Sequence, residues 1–446
     1  MVHLSEHFTY KKIFKITIAP ILMMIFISLY GVVDGIFVAN FVGSDAYAGI
    51  NLIMPIIMIV GGVGFMFGTG GSALSAKFLG EQNKEKANQV FSMIVIITAI
   101  VGIIISLLMF LLISPIANAM GRITDGTSQG MVEEAIKYGK VLVLGQTLFM
   151  LQNLFHSFFM VAEKPTLGFL ETVCSGVTNI ICDALFIVVL KLGVVGAALG
   201  TIMGYIAGGV PAMLYFIFSK KTTINLRWTK LEFKSILKAC TNGSSEFVNS
   251  VSSSVVGIVY NLQLLKFFGQ NGVAAYGTIM YVSFIFVSTF IGYSIGISPV
   301  VGYNYGAQNK KELHNVFKKS ILILIIISTC MTAIGVLGSP LFARLFSSGS
   351  EELEILSSKA LKIFSISFMF SGIAIFASSF FTALNNGLIS AINSFLRTIV
   401  FQITFVFLLP LIIGKNGVWW GMVGAEFAAI TLAIICLKAN QKKYGY

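Results

Sequence analysis

Charge is scarce in this chain. Only 11% of its 446 residues are Asp, Glu, Lys or Arg, and 56% are hydrophobic; an ordinary soluble domain is about a quarter charged. So few charges cannot cover the surface of a water-soluble protein of this length. Catalytic patterns are missing as well. No G-x-x-x-x-G-K-[ST] occurs, which excludes a lysine-bearing phosphate loop and ATP hydrolysis. There is no H-E-x-x-H, and the four histidines, His3, His7, His156 and His314, are dispersed. A serine-hydrolase elbow is also absent. The five cysteines, Cys174, Cys182, Cys240, Cys330 and Cys436, lack metal or redox spacing and read as small buried hydrophobes. No enzyme is expected, and no cofactor.

What remains is a succession of long apolar runs. A helix rises ~1.5 Å per residue, so ~20 residues cross a ~30 Å hydrocarbon layer. Twelve spans are predicted, near 14–40, 48–75, 90–117, 136–160, 166–190, 194–218, 240–266, 276–300, 316–345, 359–383, 388–412 and 417–437. Open strands cannot satisfy their backbones in lipid, and barrel strands would alternate in polarity, so the expectation is an all-α integral membrane protein. The first apolar run is too long for a cleaved signal peptide and lacks a small-residue cleavage site, so it is expected to remain as span one.

Lys and Arg set the orientation. With the N-terminus inside, most of them fall on one side, as in Lys11, Lys12 and Lys15, Lys77, Lys84 and Lys86, Lys220 and Lys221, Lys310 and Lys311, and Lys442 and Lys443. Acids gather opposite, at Asp125, Glu133 and Glu134, and at Glu351, Glu352 and Glu354. The bias predicts a multi-pass protein of the cell membrane with both termini cytoplasmic. The net charge of +12 follows from this bias and from anionic inner-leaflet lipid, so nucleic acid is not a partner.

The chain also repeats itself. GTGGSALSAKFLGEQNKE at 68–85 returns as SIGISPVVGYNYGAQNKK at 294–311. A shift of 226 places Gly70 on Gly296, Gly43 on Gly269, and Gln82, Asn83 and Lys84 on Gln308, Asn309 and Lys310. Six spans separate the copies, an even number, so the halves are parallel repeats. The predicted division is an N-terminal lobe at 1–218, a basic linker at 219–239 on the inner membrane surface, and a C-terminal lobe at 240–446, each lobe a six-helix bundle. Later spans match in a slipped register.

Ionisable groups inside spans cost at least ~2.5 kcal/mol each and so need a reason. Asp34 and Asp183 sit in the outer half of the first lobe. Asn179 shares a helix face with Asp183, and Thr201 reaches a similar depth from the opposite side. Two carboxylates, an amide and a hydroxyl supply oxygens for Na⁺, and two close carboxylates can instead share H⁺. Glu246 in span seven is a candidate to attract a cationic substrate. Glu171 is expected to snorkel near a helix end, and Arg397 to pair with an acid. Tyr30, Phe37, Tyr260, Met280, Tyr281 and Phe284 are candidate liners of a cavity for flat aromatic cations. Pro20, Pro55, Pro299 and Pro410 fall within spans, where they can kink helices.

Two six-helix halves, the paired Q-N-K loops and VDGIFVANFVG in span one resemble multidrug and toxic compound extrusion (MATE) antiporters over nearly the whole chain. The resemblance is closest to the bacterial multidrug branch. It implies rocking between inward-open and outward-open states and export of cationic, often aromatic compounds in exchange for H⁺ or Na⁺, with no other cofactor. It also implies a coupling site at Asp34, Asn179, Asp183 and Thr201. Another branch uses a glutamate on span seven, which Glu246 matches, and an aspartate on span ten; residues 359–383 hold no internal acid. The expected partners are small cationic drugs and membrane lipid, with the chain a monomer. The alternatives are a lipid-linked oligosaccharide flippase of similar design, which calls for more cavity cations than Arg397, and a membrane-embedded enzyme. The repeat fails at the acids: Asp34 falls on Tyr260, and Asp183 near Gln402.

Overall fold

The computed structural model describes residues 3–123, 128–219, 222–346 and 350–446. Asp125, Lys220 and Lys221 of the charge pattern lie outside them. The helices are α1 (Tyr10–Phe41), α2 (Ser44–Gly80), α3 (Lys84–Ile123), α4 (Gln129–Leu144), α5 (Gln146–Val161), α6 (Pro165–Asp183), α7 (Gly193–Phe218), α8 (Phe233–Gly306), α9 (Lys310–Phe346), α10 (Glu351–Ser365), α11 (Phe368–Ala383), α12 (Gly387–Phe395), α13 (Gln402–Ile413) and α14 (Gly417–Tyr444). No strand occurs among the described residues. With α12 and α13 counted as one continuous helix, Gly387–Ile413, nine segments are long and apolar enough to span a membrane, and the bent pairs α4–α5 and α10–α11 bring the number to eleven. Splitting the 74-residue α8 at Gly269, where φ is 61°, gives the expected twelve.

The repeated loop is a repeated turn. Gln82 and Gln308 both take left-handed φ, at 60° and 54°. The amides of Asn83 and Asn309 bond back to the carbonyls of Phe78 and Asn304 at 2.9 and 3.0 Å. This six-residue closure satisfies carbonyls that the helix end leaves unpaired. The Asn side chains then cap the next helix, accepting from the amides of Lys86 and Glu312 at 3.0 and 3.1 Å. Glu163 and Asn385, at φ 60° and 57°, make the same turn after α5 and α11. They are 222 apart, which fixes the register of the later spans.

The chain forms two compact units. One runs from Phe26 to Gly243, and the other joins the chain up to and including Ile25 to Ser244–Tyr446. The first turns of α1 thus sit in the second unit's core, where Phe8, Ile13, Ile16 and Ile21 are buried. The first turns of α8 sit in the first unit. Glycine sets both contacts. A Cβ on Gly70 would run into the Ala239 carbonyl and come within 2.7 Å of the Gly243 nitrogen; one on Gly296 would meet Pro20 Cγ at 2.7 Å and Thr17 Cα at 3.0 Å. Thr17 and Gly243 are themselves 226 apart, so one contact is built twice. The segment before α8 is strapped to α3 by backbone amides: Asn225 donates to Asn88 and Arg227 to Ser92, both at 2.8 Å. Lys86 beside Glu232 holds that carboxyl below its ordinary range.

The cysteines correct one expectation. Cys174 and Cys330 are exposed and the other three are partly so. A spanning helix turns apolar residues outward as well as inward, because its solvent is lipid.

Gly70→Val and Gly296→Val are expected to lose stability by about 1–3 kcal/mol or more through overpacking. Gly277→Ala, with nothing within 4 Å of its added Cβ, is expected to stay within about 1 kcal/mol of the parent. Thermal unfolding of the purified protein, followed by size-exclusion chromatography, distinguishes them.

Candidate ion-coupling site

Asp183 is the last residue of α6, and a π-helical stretch, Ala184–Val189, follows it at once. Such widened turns carry an extra residue that helix packing must accommodate, and they are frequent at functional positions. The stretch holds Asp183 fully buried, at 0% exposure. Its carboxylate faces α7 at Gly200, where an added Cβ would strike Asp183 Oδ1. Gly200 therefore makes the room for the acid, and Thr201 follows it directly. One turn back on α6, Asn179 is also buried. Asp34 comes from α1, within hydrogen-bonding reach of Asp183.

The structure thus brings together Asp34, Asn179 and Asp183, with Thr201 next to the glycine that packs on Asp183. Asp34 Oδ1, both Asp183 oxygens, and both polar atoms of the Asn179 amide are enclosed without a hydrogen-bond partner. Buried polar atoms are rarely left in that condition. Two facing carboxylates offer only acceptors, so a proton or a cation is what can sit between them. Thr201 donates to the Ala197 carbonyl at 3.0 Å, which leaves its oxygen lone pairs available. The donor set is hard oxygen, suited to H⁺ or Na⁺. No group of three or more His, Cys, Asp or Glu is disposed to hold a metal ion among the described residues.

Three tyrosines surround the acids. Tyr138 of α4 is fully buried and reaches toward Thr201, with Asp34 and Asp183 in its electrostatic surroundings. Tyr205 of α7 lies near Tyr30, Tyr138 and Asp34. Tyr30, one turn before Asp34, lies within electrostatic reach of both Asp34 and Glu171. Sequence reading chose Tyr30 as a cavity liner and missed Tyr138 and Tyr205; a phenol in an apolar span was the available signal.

The other candidates lie elsewhere. Phe37 stacks on Phe41 in α1. In the second unit Tyr260 is buried at 2% and lies parallel to Tyr276, with centroids 5.3 Å apart. Met280 packs against that unit's core, Tyr281 is half-buried nearby, and Phe284 is 58% exposed. Glu246 is half-buried in α8, within electrostatic reach of Arg397. Arg397 has its acid: two of its nitrogens donate to the two carboxylate oxygens of Glu426, at 2.8 and 3.1 Å. In the 222 register this pair occupies the positions of Ser175 and Gly204, which touch each other in the first unit. The same register moves the counterpart of Asp183 from Gln402 to Phe405, again not an acid.

Glu171 does not snorkel. It is 8% exposed, with Oε2 2.6 Å from His156 Nε2 and Oε1 accepting from Gln152 at 2.8 Å. The acid found a partner inside the bundle, so no path to the headgroups was needed. The signal in the sequence was a polar stripe at helical spacing: Gln152 and Asn153 one turn before His156.

An all-helical membrane protein of two repeated bundles, each enclosing ionisable groups, has the architecture of a transporter. The MatE family model matches residues 20–185 and 247–408, once in each repeat, and the chain belongs to that family. It is 28% identical to the multidrug export protein MepA of Staphylococcus haemolyticus over 442 residues, covering 96% of this chain and 94% of that one. It is 26% identical to MepA of Staphylococcus aureus strain MRSA252, covering 91% and 88%. Among solved structures, a MATE transporter in a straight conformation superposes with a TM-score of 0.92 at 23% identity, covering 99% of this chain and 98% of that one.

Removing one member of the Arg397–Glu426 pair leaves an uncompensated buried charge. Glu426→Leu is expected to destabilise by about 3–5 kcal/mol, and Arg397→Met/Glu426→Leu to recover most of that loss. A thermal-shift double-mutant cycle measures the recovery.

Proposed function

We propose that this transporter exports cationic, often aromatic compounds by alternating access, in exchange for H⁺ or Na⁺ taken up at Asp34, Asp183, Asn179 and Thr201. The observation that carries the reading is the pair of neighbouring carboxylates, of which Asp34 Oδ1 and both Asp183 oxygens are buried without a hydrogen-bond partner. Both termini and the Q-N-K turns face the cytoplasm, by the Lys and Arg bias. The names of the MepA relatives supply the multidrug substrate class.

In the outward-facing state the carboxylates hold the ion. Binding neutralises their repulsion and draws α1 and α6 together; release on the inner side restores it. An ion shifts such an equilibrium only through its unequal affinity for the two states. Substrate, being cationic and apolar, favours the state from which the ion has left. The two ligands thus oppose each other without sharing atoms. Substrate contacts are assigned within each unit separately: Tyr30 and Phe37 in the first, and Glu246, Tyr260, Met280, Tyr281 and Phe284 in the second.

Cells expressing the protein are expected to retain less ethidium than control cells. Asp34→Asn and Asp183→Asn are expected to reach the membrane and to lose gradient-driven efflux at least tenfold in proteoliposomes. Imposing H⁺ and Na⁺ gradients separately identifies the ion. Normal efflux by either variant removes that residue from the site, and ethidium retention equal to control removes the substrate class.

A further inference from the structure

The first unit holds a second titratable pair that the coupling site does not use. His156 of α5 and Glu171 of α6 are each 5% exposed at the side chain and 2.6 Å apart. Glu171 Oε2 and His156 Nδ1 have no other hydrogen-bond partner. Thr172 lies 3.0 Å from His156 Nε2, and on α7 an added Cβ at Gly208 would strike Glu171 Oε1. The titratable group facing the pair from α1 is Tyr30; Gln152 and Gly208 face it from α5 and α7.

The repeat provides a control for a purely structural role. At the 222 shift, His156 falls on Ser378, Thr172 on Ser394 and Glu171 on Asn393. Ser378 and Ser394 are hydrogen-bonded at 2.8 Å, as His156 and Thr172 are. The same helix junction is therefore held in the second unit by neutral groups. Packing α5 on α6 does not require an imidazole or a carboxylate. The half that carries the titratable version is the half that carries Asp34 and Asp183.

Placement completes the argument. Glu171 precedes Asp183 by twelve residues on α6, about 18 Å along the helix and toward the Q-N-K side. Tyr30 stands between. It lies one turn before Asp34, and a helical side chain leans toward its own N-terminus, which for α1 is the side of Glu171. A Cβ on Gly176, a little over one turn beyond Glu171, would come within 3.0 Å of the Tyr30 ring. We infer that His156 and Glu171 form a second proton-binding site, which receives the coupling proton from the aspartate pair by way of Tyr30 and releases it to the cytoplasm. The step is a proton transfer alone. The aspartate carboxyl becomes a carboxylate, the Tyr30 hydroxyl takes one proton as it gives another, and the neutral imidazole beside Glu171 becomes an imidazolium. Loss of that proton to water resets the pair.

This inference rests on the export reading and deepens it by naming H⁺ as the ion. The test uses the full chain in detergent at low buffer strength, with ethidium as the probe and a pH indicator reporting proton release from pH 5.5 to 8.5. The parent is expected to release protons on binding ethidium, with a pH-dependent step inside that window. His156→Gln and Glu171→Gln are expected to bind ethidium within about threefold of the parent and to lose that step or move it by a unit or more. A repeat-swapped variant, His156→Ser/Glu171→Asn, copies the neutral junction of the second unit and guards against loss of fold; it is expected to behave like the single variants. Proton release with the parental pH profile in folded variants overturns the inference. Ethidium binding by the parent that releases no proton but is opposed by Na⁺ also overturns it, while leaving ion-coupled export standing. Failure of the parent to bind ethidium overturns the export reading itself.

Discussion

The close approach of glycine to backbone at Gly70 and Gly296 is the constraint on which the units depend. Each places the first turns of one repeat against the second helix of the other repeat's unit. Lipid tails are as apolar as the side chains they would replace, so helices in a membrane are held by fit and by polar contacts more than by a hydrophobic drive. Contact at backbone distance supplies that fit, and only a residue without a Cβ permits it. The Q-N-K turn that follows each glycine serves the same arrangement. Gln in left-handed φ ends one helix and Asn caps the next, so α2 and α3, like α8 and α9, are joined by the shortest of turns.

On that scaffold the two units diverge in charge. The first keeps Asp34, Asp183 and the His156–Glu171 pair. The second replaces the junction of His156 with Thr172 by serines, and closes Arg397 on Glu426 where the first has Ser175 and Gly204. A satisfied ion pair holds helices and has no need of a further ion. Two carboxylates without a donor cannot be satisfied by protein alone. The asymmetry is chemical: one half encloses two carboxylates close together, and the other closes Arg397 on Glu426.

Much of this was legible in the residues. Span length follows from helix rise and bilayer thickness, so the spans could be placed, although helices such as α3 (Lys84–Ile123) and α10 (Glu351–Ser365) start well before them. Asp34 and Asp183 stood out because acids within apolar runs are costly, and Asn179 followed from helical spacing. Tyr138, Tyr205 and Gly200 did not stand out. Their part depends on which helix faces of α4 and α7 turn toward α1 and α6, and periodicity in a chain apolar all round is too weak to fix a face. Glu171 was misread for a related reason. Its distance from the helix end was right, but its partner lies on another helix, beyond the reach of local spacing.

The sequence by itself determined what crosses the membrane, how often, that the halves are parallel copies, and which few acids demand a reason. These follow from composition, length and a fixed register, which are one-dimensional quantities. The tertiary structure decided which acids meet. It set Asp34 against Asp183 rather than against Glu171, gave Glu171 to His156 and Glu426 to Arg397, and put the first turns of α1 in the second unit. Each of those outcomes depends on packing between different helices, and there the presence or absence of a single Cβ decides how closely two backbones approach.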